Sequence, residues 1–209
     1  MESFTRITAI AAPLMRINID TDQIVPGKEL VRVRSEGYAA SLFASWRYIG
    51  EREPNPEFIL NIAPWNRAQI LLADRNFGCG SSREAAPMAL RAWGFRAVIA
   101  PSFGGIFYNN CFRNGLLPVE LAIEDVEAIA SLVMASNGSR QVSVDLDAGR
   151  VSAADRTWSF DVPATLREML LKGLDQIDLT LSRMEQIARF RERDRQVRPW
   201  AYEVARVRA

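Results

Sequence analysis

The sequence contains no histidine at all. That absence removes both the usual general base near neutral pH and the commonest metal ligand, so any acid–base work falls to Ser, Asp, Glu, Lys, Tyr or Cys. Cysteine is almost as scarce. Cys79 and Cys111 lie far apart, with no C-x-x-C pair and no metal-ligand spacing, which excludes an iron–sulfur cluster or a cysteine zinc site held by this chain alone. Charge of one sign is lacking as well: 26 basic residues face 25 acidic ones, for a formal net charge of +1. No global field therefore favours nucleic acid or a membrane surface. No apolar run reaches the roughly 18 residues of a membrane-spanning helix. The short apolar patch at 7–14 is interrupted by Thr8 and Pro13 and carries no cleavage site. A soluble cytoplasmic protein with reduced thiols is the default expectation. What remains is a chain of 209 residues, 48% apolar, long enough for one large domain or two small ones around a sizeable core.

Residues 4–19 form an apolar opening that runs into NIDTDQIVPGKEL, where Asp20 and Asp22 flank Thr21 and Pro26-Gly27 signals a turn. Prolines and asparagines mark 51–64 as an irregular connection, after which AQILLAD at 68–74 has the length and apolar density of a buried strand. The spacing predicts a helix over 85–93 closed by Gly94, then a second buried strand, RAVIA, at 96–100. Strand, helix, strand implies a parallel crossover. PSFGGIFYNNCFRNG repeats the theme, with a glycine-rich start, a short helix to about Asn114 and Gly115 as its cap. LLPVEL at 116–121 is a third apolar stretch, weakened as a central strand by Pro118. A helix follows from Glu124 to about Met134. QVSVDLD and RTWSF then alternate around Asp147-Ala148-Gly149, as a β-hairpin with one wet face would. From Pro163 the chain reads as helical, with one helix ending at Gly173 and another, over 180–195, apolar at Leu181, Met184, Ile187 and Ala188. Arg189, Arg191, Arg193, Arg195 and Arg198 interleave with Glu185, Glu192 and Asp194, which favours a solvated helix or terminus over a nucleic-acid tail.

One turn concentrates the polar chemistry: NFGCGSSREAAPMAL, residues 76–90. Read as structure, Ser81 to Glu84 fits an S-x-x-E capping box. A serine cap needs one hydroxyl and contributes about 1 kcal/mol, which leaves Ser82, Arg83 and both glycines unexplained. Pro87 also sits badly in that register, so either the first turn is irregular or the helix starts nearer Glu84. Read as a site, the glycines let backbone amides approach a ligand, the helix N-terminus favours anions, and Arg83 adds a fork of donors matched to a carboxylate. A dinucleotide fingerprint fails, because Arg83 stands where a third glycine is required and no acidic residue lies near the end of the next strand. No Gly-Lys-Ser/Thr exists for a phosphate loop, and no G-x-S-x-G or histidine for a hydrolase triad. A serine base remains feasible where backbone amides and a fixed arginine stabilise its alkoxide in a dry site. Such a site suits proton abstraction beside a carboxylate.

NFGCGSSRE closely resembles the signature of the swivelling domain of the aconitase superfamily. NIDTDQIVP, GIFYNNCFRNGLLPVEL and LLKGLDQIDLTL resemble, in the same order, the small-subunit family of the 3-isopropylmalate dehydratases. The four motifs span about 5–195. The resemblance implies an α/β fold, a single swivelling β/β/α domain over 1–209 with a helical, Arg-rich C-terminal extension. It also implies a hydro-lyase of leucine biosynthesis, isomerising a 2-hydroxy dicarboxylic acid by dehydration and rehydration. Such a chain is active only with a large subunit that binds a [4Fe–4S] cluster through its own cysteines. By motif, Ser81 is then the catalytic base, Asp22 faces the active site, Ser82 binds substrate or an oxyanion, and Arg83 clamps a carboxylate. A second substrate arginine is expected at Arg34, with Arg32 in reserve, and the segment 28–48 resembles a loop that tunes the substrate side chain. The family usually reads S-S-R-E-H-A, and here Ala85 holds the histidine position. Two alternatives stay open on that account: a paralogous subunit acting on another 2-alkylmalate, citramalate or a dimethylmalate, and a docking subunit impaired in catalysis.

Other polar candidates have plainer readings. Cys79 is expected to be a small buried residue rather than a nucleophile, and Cys111, amid Phe107, Tyr108 and Phe112, a core residue. Asp20 and Asp22 lack the further oxygen ligands of a magnesium site; turn formation with a functional Asp22 is preferred. Asn109, Asn110 and Asn114 are expected to satisfy backbone groups near a helix end, with a polar contact to the partner as the alternative.

Overall fold

The first strand of the chain is shared between two sheets. In the computed structural model, which describes residues 1–33 and 37–203, β1 (Arg6–Ala9) and β2 (Ala11–Leu14) are separated only by Ile10. β1 joins an antiparallel sheet and β2 a parallel one. The parallel sheet continues through β3 (Ile70–Ala73), β4 (Ala97–Ala100) and β5 (Leu117–Glu120), each strand pairing with the one before it. Every residue of β3 and β4 is buried, the mark of strands covered on both faces. β5 lies at the edge, where the missing amide of Pro118 breaks no ladder on its open side. The antiparallel sheet follows with β6 (Val142–Asp145), β7 (Arg150–Ala153) and β8 (Arg156–Ser159), ordered β1-β6-β7-β8. The expected hairpin is thus corrected: the strand opposite QVSVDLD is β7, and RTWSF pairs onto β7 through a second tight turn at Ala154 and Asp155.

Two apolar clusters lie on opposite faces of the parallel sheet, as period-two alternation requires. Ile70, Leu72, Ala97 and Ile99 face the cluster that takes in the antiparallel sheet (Val142, Val144, Val151, Trp158) and helix Ile123–Ala135. Leu71, Ala73, Val98 and Ala100 face the other cluster, shared with helix Ala85–Trp93 and with Leu42, Phe43, Phe58 and Leu60. Besides single helical turns before Tyr48, the helices in chain order are α1 (Ala85–Trp93), α2 (Gly105–Arg113), α3 (Ile123–Ala135) and α4 (Ala164–Lys172).

α1 begins at Ala85, with no side-chain cap, and Ser81 lies outside it. Pro87 then falls in the first turn, where its missing amide has no intrahelical partner to lose. The capping-box reading of Ser81 is therefore replaced by the later start. α2 closes with Gly115 N–H on Phe112 C=O and Leu116 N–H on Cys111 C=O, the paired bonds of a Schellman end.

These elements belong to one compact unit, 1–173; a second, 174–209, is described by itself. It holds α5 (Gln176–Leu181), capped by Asp175, and α6 (Met184–Val197), none of whose residues is buried. Glu185 pairs with Arg189 and Asp194 with Arg198 along α6. Among the described residues no helix is long and apolar enough to cross a membrane.

Candidate active site

Three loops leave the carboxyl ends of neighbouring parallel strands and meet there, where open α/β sheets place their ligands. The central one, after β3, is the 76–83 turn. It is stitched to the loop after β2 by Asn18 N–H on Arg75 C=O (2.9 Å), Gly78 N–H on Ile19 C=O (2.7 Å) and a bridge between Asp20 and Cys79. On its other side Phe77 N–H donates to Ser102 C=O (3.0 Å) and Gly104 N–H to Phe77 C=O (2.9 Å), in the loop after β4. Phe77, Phe103 and Phe107 pack ring to ring beneath it.

The DTD stretch reads this turn from below. Asp20 caps the single helical turn Thr21–Ile24: its carboxylate accepts from Gln23 N–H (2.7 Å), while the Gln23 amide oxygen accepts from Asp20 N–H (2.9 Å). That is the expected turn-forming role, and it leaves Asp22 free to face outward. Asp22 pairs with Arg83 through Nη1, which also donates to Val25 C=O (3.1 Å). The arginine side chain keeps 23% of its exposure. Among the described residues Nη2 and Nε have no acceptor, so one edge of the guanidinium fork is held and the other is open. Ser81 and Ser82 are exposed.

A cavity of about 260 Å³ opens here, lined by Thr21, Cys79, Ser81, Ser82, Arg83 and the first turn of α2. The structure thus gathers Ser81, Ser82 and Arg83 around one space and ties Asp22 to its arginine. It also adds a feature the sequence reading passed over. Gly105 to Phe107 present first-turn amides, which have no intrahelical acceptor and carry the positive end of the helix dipole. The glycine pair at 104–105, directly before a helical pattern, was the available signal.

Arg32 stands elsewhere, on a cavity of about 700 Å³ with Lys28, Glu29, Tyr48 and Arg52, which shares no lining residue with the first. Arg34 lies outside the described residues. Glu29 and Arg52 pair across that second cavity (2.7 Å). The neighbouring Arg47 is buried, donating to Ala39 C=O (2.7 Å) and Leu42 C=O (3.0 Å) and stacked on Trp93. Within the segment resembling a tuning loop, residues 39–47 are therefore held together by a buried arginine.

Cys79 is half-buried at the cavity wall, and burial, with the Asp20 charge second, holds its thiol above the ordinary range. It is thus a poor nucleophile. Cys111 is fully buried in the core and pushed up well beyond that range by burial. Asn109 and Asn114 donate to Gly105 and Asn110 carbonyls one turn back (both 2.9 Å). Among the described residues no group of three or more His, Cys, Asp or Glu is placed to hold a metal ion.

Residues 1–124 match the Aconitase C-terminal domain family. The 3-isopropylmalate dehydratase small subunit of Cupriavidus necator is 50% identical over 205 residues, covering 97% of this chain and 99% of the relative. The chain belongs to this small-subunit family. The member from Neisseria meningitidis serogroup C is 46% identical over 212 residues with the same coverage. The crystal structure of 3-isopropylmalate dehydratase from Methanocaldococcus jannaschii superposes with a TM-score of 0.63 at 26% identity, covering 88% of this chain and 98% of that one. The family fold is the mixed α/β arrangement described above, a four-stranded parallel and a four-stranded antiparallel sheet with flanking helices.

Proposed function

We propose that this chain is the small subunit of a hydro-lyase that isomerises 2-isopropylmalate to 3-isopropylmalate in leucine biosynthesis, with Ser81 as the base and Arg83 as the carboxylate clamp. The observation that carries this reading is the convergence of Ser81, Ser82, a half-engaged Arg83 and the amide-bearing end of α2 on one cavity, in a chain 50% identical to a named small subunit over its whole length.

The chemistry follows from those groups. The substrate carboxylate pairs with the open Nη2 and Nε edge of Arg83, while Asp22 keeps the other edge in place. Ser81 Oγ takes the hydrogen from the carbon next to the one bearing the hydroxyl. A serine hydroxyl is a feeble base in water, so its oxyanion must be stabilised locally. Arg83, the Ser82 hydroxyl and the unpaired amides of the α2 first turn are the donors available within the cavity. Loss of the neighbouring hydroxyl leaves an alkene acid, and return of water with the opposite orientation gives the 3-hydroxy isomer. In this reading the large subunit carries a [4Fe–4S] cluster, whose chemistry is that of a Lewis acid for the departing hydroxyl.

The test uses the full chain assembled with its cluster-loaded large subunit, followed by alkene absorbance with 2-isopropylmalate, citramalate and dimethylmalate in parallel. Ser81→Ala is expected to lower kcat by about 10²–10⁴-fold, the usual contribution of a positioned base, with KM little changed. Full turnover by that variant would overturn the base, and a preference for another malate would reassign the substrate.

A further inference from the structure

Thr21 touches the proposed base more directly than any carboxylate does. It is 2% exposed. Its backbone N–H donates to Cys79 C=O (3.0 Å), and its hydroxyl donates to Ser81 C=O (2.7 Å), sixty residues away in sequence. One buried residue therefore holds the carbonyls at both ends of Cys79-Gly80-Ser81, the first through its backbone amide and the second through its side chain. A threonine at the start of a helical turn has local acceptors within reach; this one reaches across the loop instead.

The grip matters because of what lies between. Gly80 sits at φ +88°, where a missing side chain would meet only Asp20 Cβ at 3.5 Å and Thr21 Oγ1 at 4.0 Å. Space alone does not confine it, and glycine loses more freedom on ordering than any other residue. The backbone before Ser81 is thus soft unless held. Fixing the Ser81 carbonyl fixes its peptide plane and so restrains the Cα from which Cβ departs, narrowing the positions that Oγ can reach through its χ1 rotamers. The β-branch of threonine supplies a stiff χ1 for that purpose. Asp22, the next residue, holds Arg83 in the same way, so consecutive residues of DTD set the base and the clamp separately.

We propose that Thr21 is a positioning residue for Ser81: its buried hydroxyl, bonded to the Ser81 carbonyl, aims the serine oxygen at the substrate hydrogen. This rests on Ser81 being the base.

The experiment uses the assembled two-subunit enzyme. Thr21→Val, which keeps the shape and removes the donor, is expected to lower kcat by about 10–100-fold, the scale of a misaimed reacting group, with KM within about twofold. Thr21→Ser restores kcat, and adding Thr21→Val to Ser81→Ala costs nothing further, because Thr21 acts only through Ser81. Where Thr21→Val does not assemble, serine and cysteine at this position give the same contrast, cysteine being a weak donor: serine keeps kcat and cysteine loses it. Wild-type kcat in Thr21→Val, equal losses with valine and serine, or a loss confined to KM overturns the proposal. Full turnover by Ser81→Ala overturns the base assignment instead, so the two failures are told apart.

Discussion

Among the described residues, Arg83 has only its Nη1 engaged, by Asp22 and Val25, and this decides how the proposed clamp should respond to substitution. Lysine would keep the positive charge but present a point where the site offers room for a planar fork. It can hold Asp22 or the substrate carboxylate, not both edges together. Arg83→Lys in the assembled enzyme is expected to lower kcat/KM by about 10–150-fold, the equivalent of a lost charge-assisted bond of about 1.5–3 kcal/mol, read by steady-state kinetics. Ser81, Ser82, Arg83 and Asp22 were legible in the sequence because hydroxyl, guanidinium and carboxylate crowd into short glycine-bearing motifs. Thr21 was not. Its partner is sixty residues distant, and a threonine between two aspartates is an ordinary turn residue until the fold shows where its hydroxyl goes. Ala85, at the family's histidine position, is half-buried against the apolar cluster beneath α1, so the surroundings of that position are apolar on the core side.

Among the elements, the joint between the 76–83 turn and α2 is the tightest. A Cβ on Gly78 would lie 2.2 Å from Phe107 Cγ, and one on Gly104 would lie 2.4 Å from the Gly78 carbonyl oxygen. Gly78 also adopts φ +71°. Gly78→Ala therefore combines left-handed strain of about 1–3 kcal/mol with overpacking of about 1–3 kcal/mol. A fall in Tm of about 5–20 °C is expected by calorimetry, since about 2–4 °C accompanies each kcal/mol in a domain of this size. Phe107→Leu in the same chain should recover the steric part alone. The strand, helix, strand succession around this joint could be read from apolar density and the Gly94 stop, because β3 and β4 are buried throughout and α1 closes on Gly94. The four-residue β7 escaped notice, lying between two tight turns. The 38–61 segment had no period to find, since it is organised around a buried arginine and backbone carbonyls rather than an apolar stripe.

At the scale of the molecule, both apolar clusters lie wholly within 1–173. Among the described residues, no member of either cluster lies beyond Leu171. A chain ending at Gly173 is expected to keep its far-UV circular dichroism per residue and to melt cooperatively, because it retains both apolar clusters in full. Loss of cooperative melting in that truncation would show that the second unit is needed for the first.

The strand shared by the two sheets has a consequence for synthesis. Arg6 pairs with Asp145, so β1 joins its sheet only after a loop reaching from Ala9 to Val142 has been made and closed, and closing so long a loop is slow. Until that loop closes, the backbone edge of β1 stands unpaired, a template on which a strand of another chain can add.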